Sequence, residues 1–248
     1  MAKVALITGG SRGIGAATAR LAASRGYRVF IGYASNEAAA SAVAKDIRAK
    51  GGEASCVQAD TGDETAIGEM FQTVDRAAGA VDALVNSAGI TGPFGSLDSQ
   101  ETADIKRVID VNLVGLILCC REALKRMSTK HGGNGGSIVN LSSVAAREGA
   151  AGELTPYGAS KGGVSTFTLG LAREVAGEGI RVNAILPGLI DTDMNRGGYA
   201  GERMARLLPT VPIRRAGTAE ECAEAILWLL SDQASYVTGA VLPVTGGR

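Results

Sequence analysis

The chain is predicted to fold as a doubly wound α/β protein, with a central parallel sheet of seven strands and helices on both faces. Three observations carry this prediction. Short apolar, β-branched runs alternate with longer helical patterns along all 248 residues, as successive βαβ units with right-handed crossovers require. The first strand candidate runs directly into a glycine-rich turn and then a helix, the context in which such a turn is informative. The residues of most distinctive chemistry fall at the ends of successive strand candidates, where open α/β sheets bind their ligands. No linker-like run divides the sequence, so one domain over residues 1–248 is expected, a size that parallel α/β folds reach as a single unit.

Residues 3–7 form the first strand candidate, and a helical pattern covers 16–25. Between them Gly9 permits a tight turn, while Gly13 and Gly15 let backbone and helix approach a phosphate. Ser11, Arg12 and Ile14 complete the loop, and the helix start offers free N–H groups to a pyrophosphate. Any tight strand-to-helix turn also favours glycine. The second strand, 28–31, ends at Gly32 and Tyr33, where an NAD site usually places an acid to hold the ribose 2′-hydroxyl. Ser35 and Asn36 are neutral donors there and Arg12 brings a positive charge, so NADP(H) is favoured over NAD(H). Glu37 is read as a first-turn acid of the helix over 36–50, welcomed by the helix dipole. Ser35 and Asn36 also suit simple N-capping, and the two roles are compatible.

A third strand, 54–58, leads to Asp60, and Thr61 with Glu64 has capping-box spacing for a helix towards Gly79. The fourth strand, 81–85, is followed by Asn86, Ser87, Ala88 and Gly89. A loop with Pro93 and Gly95 then reaches Asp98 and Glu101, a second capping signature, and a long helix to Met127 that carries Asn112. An amide between Val111 and Leu113 needs a partner, and a buried structural hydrogen bond and a functional site are equally good accounts of it. His131, the only histidine, stands beside the glycine-rich 132–136 and reads as an exposed turn residue. The fifth strand, 137–141, ends at Ser142 and Ser143.

The helix over 157–177 begins with Tyr157 and Lys161, four residues apart and therefore on one helical face. An ammonium beside a phenol favours phenolate and lowers the tyrosine pKa, which makes the pair a candidate proton donor and acceptor. Taken alone, so short a pattern is better read as a surface pair, and the rest of the chain has to decide. The sixth strand, 181–186, is broken by Pro187 and Gly188. Residues 191–212 lack clean periodicity and are expected to cover the substrate, with Gly197, Gly198 and Gly201 pointing to mobility. Thr218 and Glu221 cap a last helix to Leu230, and 239–243 is an edge-strand candidate, where Pro243 is tolerated.

The 25 basic and 25 acidic residues cancel, so no nucleic-acid footprint is expected. No run approaches the ~18 apolar residues of a membrane span, and the N-terminus lacks the apolar core of a secretion signal. Cys56, Cys119, Cys120 and Cys222 show neither CxxC nor His spacing, so no metal is expected. Cys119 and Cys120 read as small core residues, and a reducing cytoplasm is the expected location.

The motifs, in order, resemble those of the single-domain short-chain dehydrogenase/reductases over residues 4–247. The cofactor signature of that family appears as Thr8, Gly9, Gly13 and Gly15, and its Asn-Asn-Ala-Gly as Asn86, Ser87, Ala88 and Gly89, departing at the second position. The resemblance implies a Rossmann-type fold and interconversion of a carbonyl and an alcohol by hydride transfer with NADP(H). It implies a catalytic tetrad of Asn112, Ser143, Tyr157 and Lys161. Tyr157 would move the proton, Ser143 orient the substrate oxygen, Lys161 tune the tyrosine and bind the nicotinamide ribose, and Asn112 hold a water behind Lys161. Asp60 and Thr61 would lie near the adenine, and Pro187, Gly188, Ile190 and Thr192 would close over the nicotinamide and its phosphates.

Ser142 competes with Ser143, which is preferred because the family uses the second of such a pair. The chain is most similar to the 3-oxoacyl-carrier-protein reductase and glucose-dehydrogenase-like branch. Its Ser143-to-Tyr157 spacing is one residue longer than usual for the reductases, with the extra room in 149–155, which sets the carrier-protein substrate apart from the reaction class. Arg173 matches a docking arginine of those reductases, in a tetrapeptide widespread across the family. Arg196, Arg203 and Arg206 are either receivers of an anionic substrate or ordinary surface residues. The family also implies a homotetramer or homodimer paired through 100–127 and 157–177. A small-molecule carbonyl or alcohol is the expected substrate. A non-catalytic NADP(H)-sensing regulator, or a structural oligomer component, would not need both Tyr157 and Lys161.

Overall fold

The computed structural model describes residues 2–196 and 198–248. Its strands are β1 (Val4–Thr8), β2 (Arg28–Tyr33), β3 (Glu53–Gln58), β4 (Ala83–Asn86), β5 (Gly136–Leu141), β6 (Ile180–Pro187) and β7 (Val241–Val244). All seven join one sheet in the order β3-β2-β1-β4-β5-β6-β7, and every pairing is parallel. The order reverses direction between β1 and β4, so their C-terminal ends form the crevice of a doubly wound sheet. Pro243 lies on the edge strand β7, as expected.

The helices are α1 (Gly13–Ser24), α2 (Glu37–Ala49), α3 (Glu64–Ala78), α4 (Thr102–Ile109), α5 (Gly115–Met127), α6 (Ala145–Glu148), α7 (Thr155–Val175), α8 (Gly198–Leu207) and α9 (Ala219–Leu230). Alternation along β1 shows how they are held. Ala5 and Ile7 point to a core shared with residues of α1, α2 and α9, while Val4 and Leu6 point to a core shared with α3, α5 and α7. Strands buried on both faces are why their sequences read as continuous apolar runs.

Several local expectations are corrected. Thr61 does not cap α3; Asp63 does, accepting from the N–H groups of Thr65 and Ala66. Asp60 captures the Gly62 N–H at 2.8 Å, which turns the chain once more before the helix starts. Asp98 likewise bonds locally to Ser96, in a 3-10 turn, and α4 begins at Thr102 without a side-chain cap. The long helix to Met127 is continuous but not uniformly α: residues Asp110–Val114 form a π-helical turn around Asn112, the kind of local widening that recurs at functional sites. Residues 191–212 are not irregular throughout, because α8 occupies their centre and contains Gly198 and Gly201. Gly197 lies outside the described residues. His131 is exposed in a short turn, and Cys119 and Cys120 are fully buried, as expected. Asn36 caps α2 through the Ala39 N–H, with Glu37 in its first turn, and Thr218 and Glu221 form a reciprocal capping box on α9.

Candidate active site

The C-terminal ends of β1, β2, β4, β5 and β6 and the loops after them, with the loop after β3, enclose a cavity of about 410 Å³. Its floor at β1 is the glycine loop. Gly9 takes a φ of +63°, and a Cβ there would stand 2.7 Å from the Ala88 Cα, so the loop and the β4 end lie in direct backbone contact. Thr8 reinforces that contact by accepting from the N–H groups of Ser87 and Ala88 at 3.1 and 3.2 Å. A Cβ on Gly15 would meet the Gly9 carbonyl at 2.3 Å, so α1 can begin this close to the turn only with glycine there. Gly15 therefore shapes the loop without lining the cavity. Arg12 is the N-cap of α1 but gives it no side-chain cap, and the first turn holds no acid. The N–H groups at this helix start are left for an anion.

Ser11, Arg12, Gly13 and Ile14 line this end together with Ser35 and Asn36. The β2 end presents Tyr33 and Ala34 in place of an acid. At the far wall Asp60 and Thr61 line the cavity, and Asp60 is bridged by Arg107 at 2.6 Å. Burial works against the Asp60 charge, but the Gly62 N–H and Arg107 outweigh it and hold the carboxyl below its ordinary range. Arg107, Tyr33, Ser87 and Ile90 are lining residues that sequence reasoning missed. Arg107 comes from α4, and only its pairing with Asp60, 47 positions earlier, reveals it. Ala88, Gly89, Pro187, Gly188, Ile190 and Thr192 line the opposite side, with Thr192 lying over Gly13.

Asn86 does not reach the cavity. It is buried at the end of β4, donating to Asn140 at 2.9 Å and to the Cys120 sulfur at 3.3 Å, while Asn140 in turn donates to Thr168 on α7. Support of the β4 end thus runs through Asn86, and the Ser87 departure leaves it intact. Asn112 is fully buried as well. Its amide clamps the main chain of Ile90, accepting from N–H at 2.9 Å and donating to C=O at 2.8 Å, and also donates to Ser160 at 3.1 Å. Both accounts of this residue converge: the amide is structurally satisfied, and what it fixes is a wall of the cavity.

The two serines separate by their partners. Ser142 is buried, donating to the Lys161 carbonyl and pairing with Ser165, both at 2.8 Å. Ser143 accepts from the Ala145 N–H, and its hydroxyl favours the ionised form of the Tyr157 phenol. Lys161 is 4 % exposed, its ammonium donating to the Leu141 carbonyl at 2.7 Å and standing 5.8 Å from the Tyr157 ring centre. Burial pushes the lysine down to about 8. Burial also raises the Tyr157 phenol above its ordinary 10.0, against the opposite pull of Ser143 and Arg203. The phenol is thus raised, where the Tyr157–Lys161 spacing alone predicts a lowering: a desolvated phenol stays protonated. Among the described residues, no group of His, Cys, Asp and Glu is arranged to hold a metal, and no helix is long and apolar enough to cross a membrane.

Residues 9–248 match the family model described as enoyl-(acyl carrier protein) reductase. The chain is 49 % identical over 245 residues to an uncharacterized oxidoreductase, YgfF, of Escherichia coli, covering 99 % of each. Two solved structures share the architecture. A short-chain dehydrogenase/reductase from Serratia marcescens superposes with a TM-score of 0.91 at 34 % identity, over 99 % of this chain and 97 % of the other. A blue fluorescent protein from a metagenomic library, in complex with NADPH, gives 0.89 at 34 % identity with the same coverage. Sequence, sheet order and the cavity at the strand ends agree, and the chain belongs to the short-chain dehydrogenase/reductase family of oxidoreductases.

Proposed function

We propose that the protein is an NADP(H)-dependent oxidoreductase that interconverts a small-molecule carbonyl and an alcohol, with Tyr157 as acid and base. The observation that carries this reading is the convergence of Ser143, Tyr157 and Lys161 at one end of a cavity whose other end is a glycine loop and an uncapped helix start. The cavity fits a dinucleotide: its glycines admit backbone close to a phosphate, and the α1 N–H groups have no side-chain competitor. A bound nicotinamide supplies or accepts the hydride, and the protein supplies position and electrostatics.

In reduction, the protonated Tyr157 phenol gives its proton to the developing alkoxide, and the Ser143 hydroxyl orients the same oxygen. Lys161, anchored to the Leu141 carbonyl, would use its remaining N–H groups to hold the nicotinamide ribose, and its charge would stabilise the phenolate left when Tyr157 gives up its proton. Asn112 commits its amide to Ile90 and Ser160. A water relay behind Lys161 therefore rests on the second lone pair of its carbonyl oxygen. That oxygen and the Lys161 nitrogen flank one point beside Gly89. Tyr157 and Lys161 are both present, which favours turnover over sensing.

Preference for NADP(H) is supported by Tyr33 and Ala34 at the β2 end and by Arg12, Ser35 and Asn36 facing the same space. A spectrophotometric panel of ketones, β-keto esters, diketones and quinones, run with NADPH and NADH in parallel, should show turnover with NADPH preferred. Arg12→Ala should narrow that preference about tenfold, the worth of one charge-assisted hydrogen bond. Equal use of both cofactors by the unaltered protein would remove the 2′-phosphate assignment.

The protein is also proposed to work as a homo-oligomer, a tetramer or a dimer, in the reducing cytoplasm, where its four free cysteines are stable. Val114 and Leu169 are exposed apolar residues on the two long helical segments, and a Cβ on Gly170 would meet nothing within 4 Å. Gly163 is different, since Leu113 of the same chain fills its space. Sedimentation at micromolar concentration should show an oligomer; monomer alone would contradict it.

A further inference from the structure

Just ahead of Tyr157 in the chain, the segment 149–155 carries a carboxylate on which side chains of α8 converge. Within 149–155, Gly149 and Gly152 take φ values of 75° and 74°, and Ala150 a strained +49°, which folds the segment into a tight turn with Leu154 buried beneath it. Glu153 sits at the end of that turn. Its carbonyl accepts from the Gly95 N–H at 3.0 Å. Its carboxylate accepts from Tyr199 at 3.0 Å, from Arg203 at 2.7 Å, and from Arg206. The Tyr199 ring in turn packs on Phe94, with centres 5.0 Å apart. Segments following β4, β5 and β6 thus meet at one residue, Glu153, the first through its main chain and the last through its carboxylate.

The charges at this junction are unequal in their reach. The Glu153 and Arg203 side chains are only 14 % and 16 % exposed, so this pair is little screened. Arg206 is 59 % exposed, and solvent screens its head. Burial opposes the Glu153 charge, but Arg203, Arg206 and Tyr199 outweigh it and keep the carboxyl ionised. Arg203 is also close enough to act on the Tyr157 phenol. Without its partner, the Arg203 charge would act on the Tyr157 phenol uncompensated.

We propose that Glu153 is a specificity-determining residue: by pairing Arg203 it selects an uncharged carbonyl substrate over one carrying a carboxylate, and it holds α8 against the site. The proposal rests on the carbonyl reading above. It also gives Arg203 and Arg206 an occupation other than receiving an anionic substrate.

The test compares ethyl acetoacetate with acetoacetate, with NADPH saturating, in the unaltered protein and in Glu153→Gln. The amide keeps the size of the carboxylate and an acceptor oxygen while removing the charge. The unaltered protein should favour the ester. Glu153→Gln should raise kcat/KM for acetoacetate about tenfold, through KM, the scale of one pocket contact, with the ester changing far less. An unaltered acetoacetate KM, or an equal change for both substrates, would overturn the selection. Hydrogen exchange across residues 198–207, with NADPH present, tests the anchoring apart from turnover. Glu153→Ala should speed it, and unaltered exchange would overturn the anchoring. If the unaltered protein reduces no ketone of a broad panel, the carbonyl reading falls and selection falls with it, while the exchange result still decides whether Glu153 holds α8.

Discussion

Tyr157→Phe is expected to lower kcat by about 10²–10⁴-fold, the usual contribution of a positioned acid or base, while dinucleotide binding is largely retained. The phenyl ring preserves the packing of a half-buried side chain and removes only the proton and its oxygen. Stopped-flow or steady-state turnover beside a fluorescence titration of NADPH separates the two effects. The raised phenol adds a direction. Because Tyr157 stays protonated well above neutral pH, reduction should be insensitive to pH through neutrality, since the donor form is already present. Oxidation of the alcohol needs the phenolate, so its rate should climb as pH rises. A reduction rate that climbs with pH in the same way would contradict the assignment of Tyr157 as donor.

Gly15→Ala should weaken NADPH binding by about a hundredfold or more and lower thermal stability, because a new Cβ overlaps backbone that has nowhere to move. The added carbon would stand 2.3 Å from the Gly9 carbonyl and 3.1 Å from the Gly10 Cα, so the start of α1 must swing away from the loop. That swing withdraws the helix N–H groups from the phosphate position. Gly68 offers the control, since a Cβ there meets nothing within 4 Å and Gly68→Ala in α3 should leave binding unchanged. Isothermal titration with NADPH and a melting curve check both variants, and unimpaired binding by Gly15→Ala would remove the tight-turn account of the loop.

What was legible in the sequence was whatever depends on near neighbours. Gly9, Gly13 and Gly15 announce the loop because backbone conformation is a local demand. The alternation of strands and helices announces the sheet, and with it the place where Asp60, Gly89, Ser143 and Pro187 must gather. The spacing of Tyr157 and Lys161 places them on one helical face. What was not legible depends on partners far along the chain. Thr61 and Asp98 have good capping chemistry, yet Asp63 and a 3-10 turn displaced them, since several acids near a helix start compete for the same N–H groups. The π turn around Asn112 leaves the apolar pattern nearly unchanged, and the helix after it packs against a distant segment, since a Cβ on Gly115 would stand 1.8 Å from the Thr61 carbonyl. Helix α8 is held by Glu153, 50 positions before Arg203, a partner no local pattern announces. The direction of the Tyr157 shift is hidden for the same reason: the spacing shows the ammonium, but not the burial that raises the phenol.

The most direct test of the central claim is transfer of label from the nicotinamide. NADPH carrying deuterium at its transferable position should be oxidised by the unaltered protein in the presence of a reducible ketone, and the deuterium should appear on the carbinol carbon of the product, on one face only. Tyr157→Phe should bind the same labelled NADPH and transfer essentially none. NADPH bound at saturation with no label in any alcohol product, across the whole ketone panel, would contradict the account.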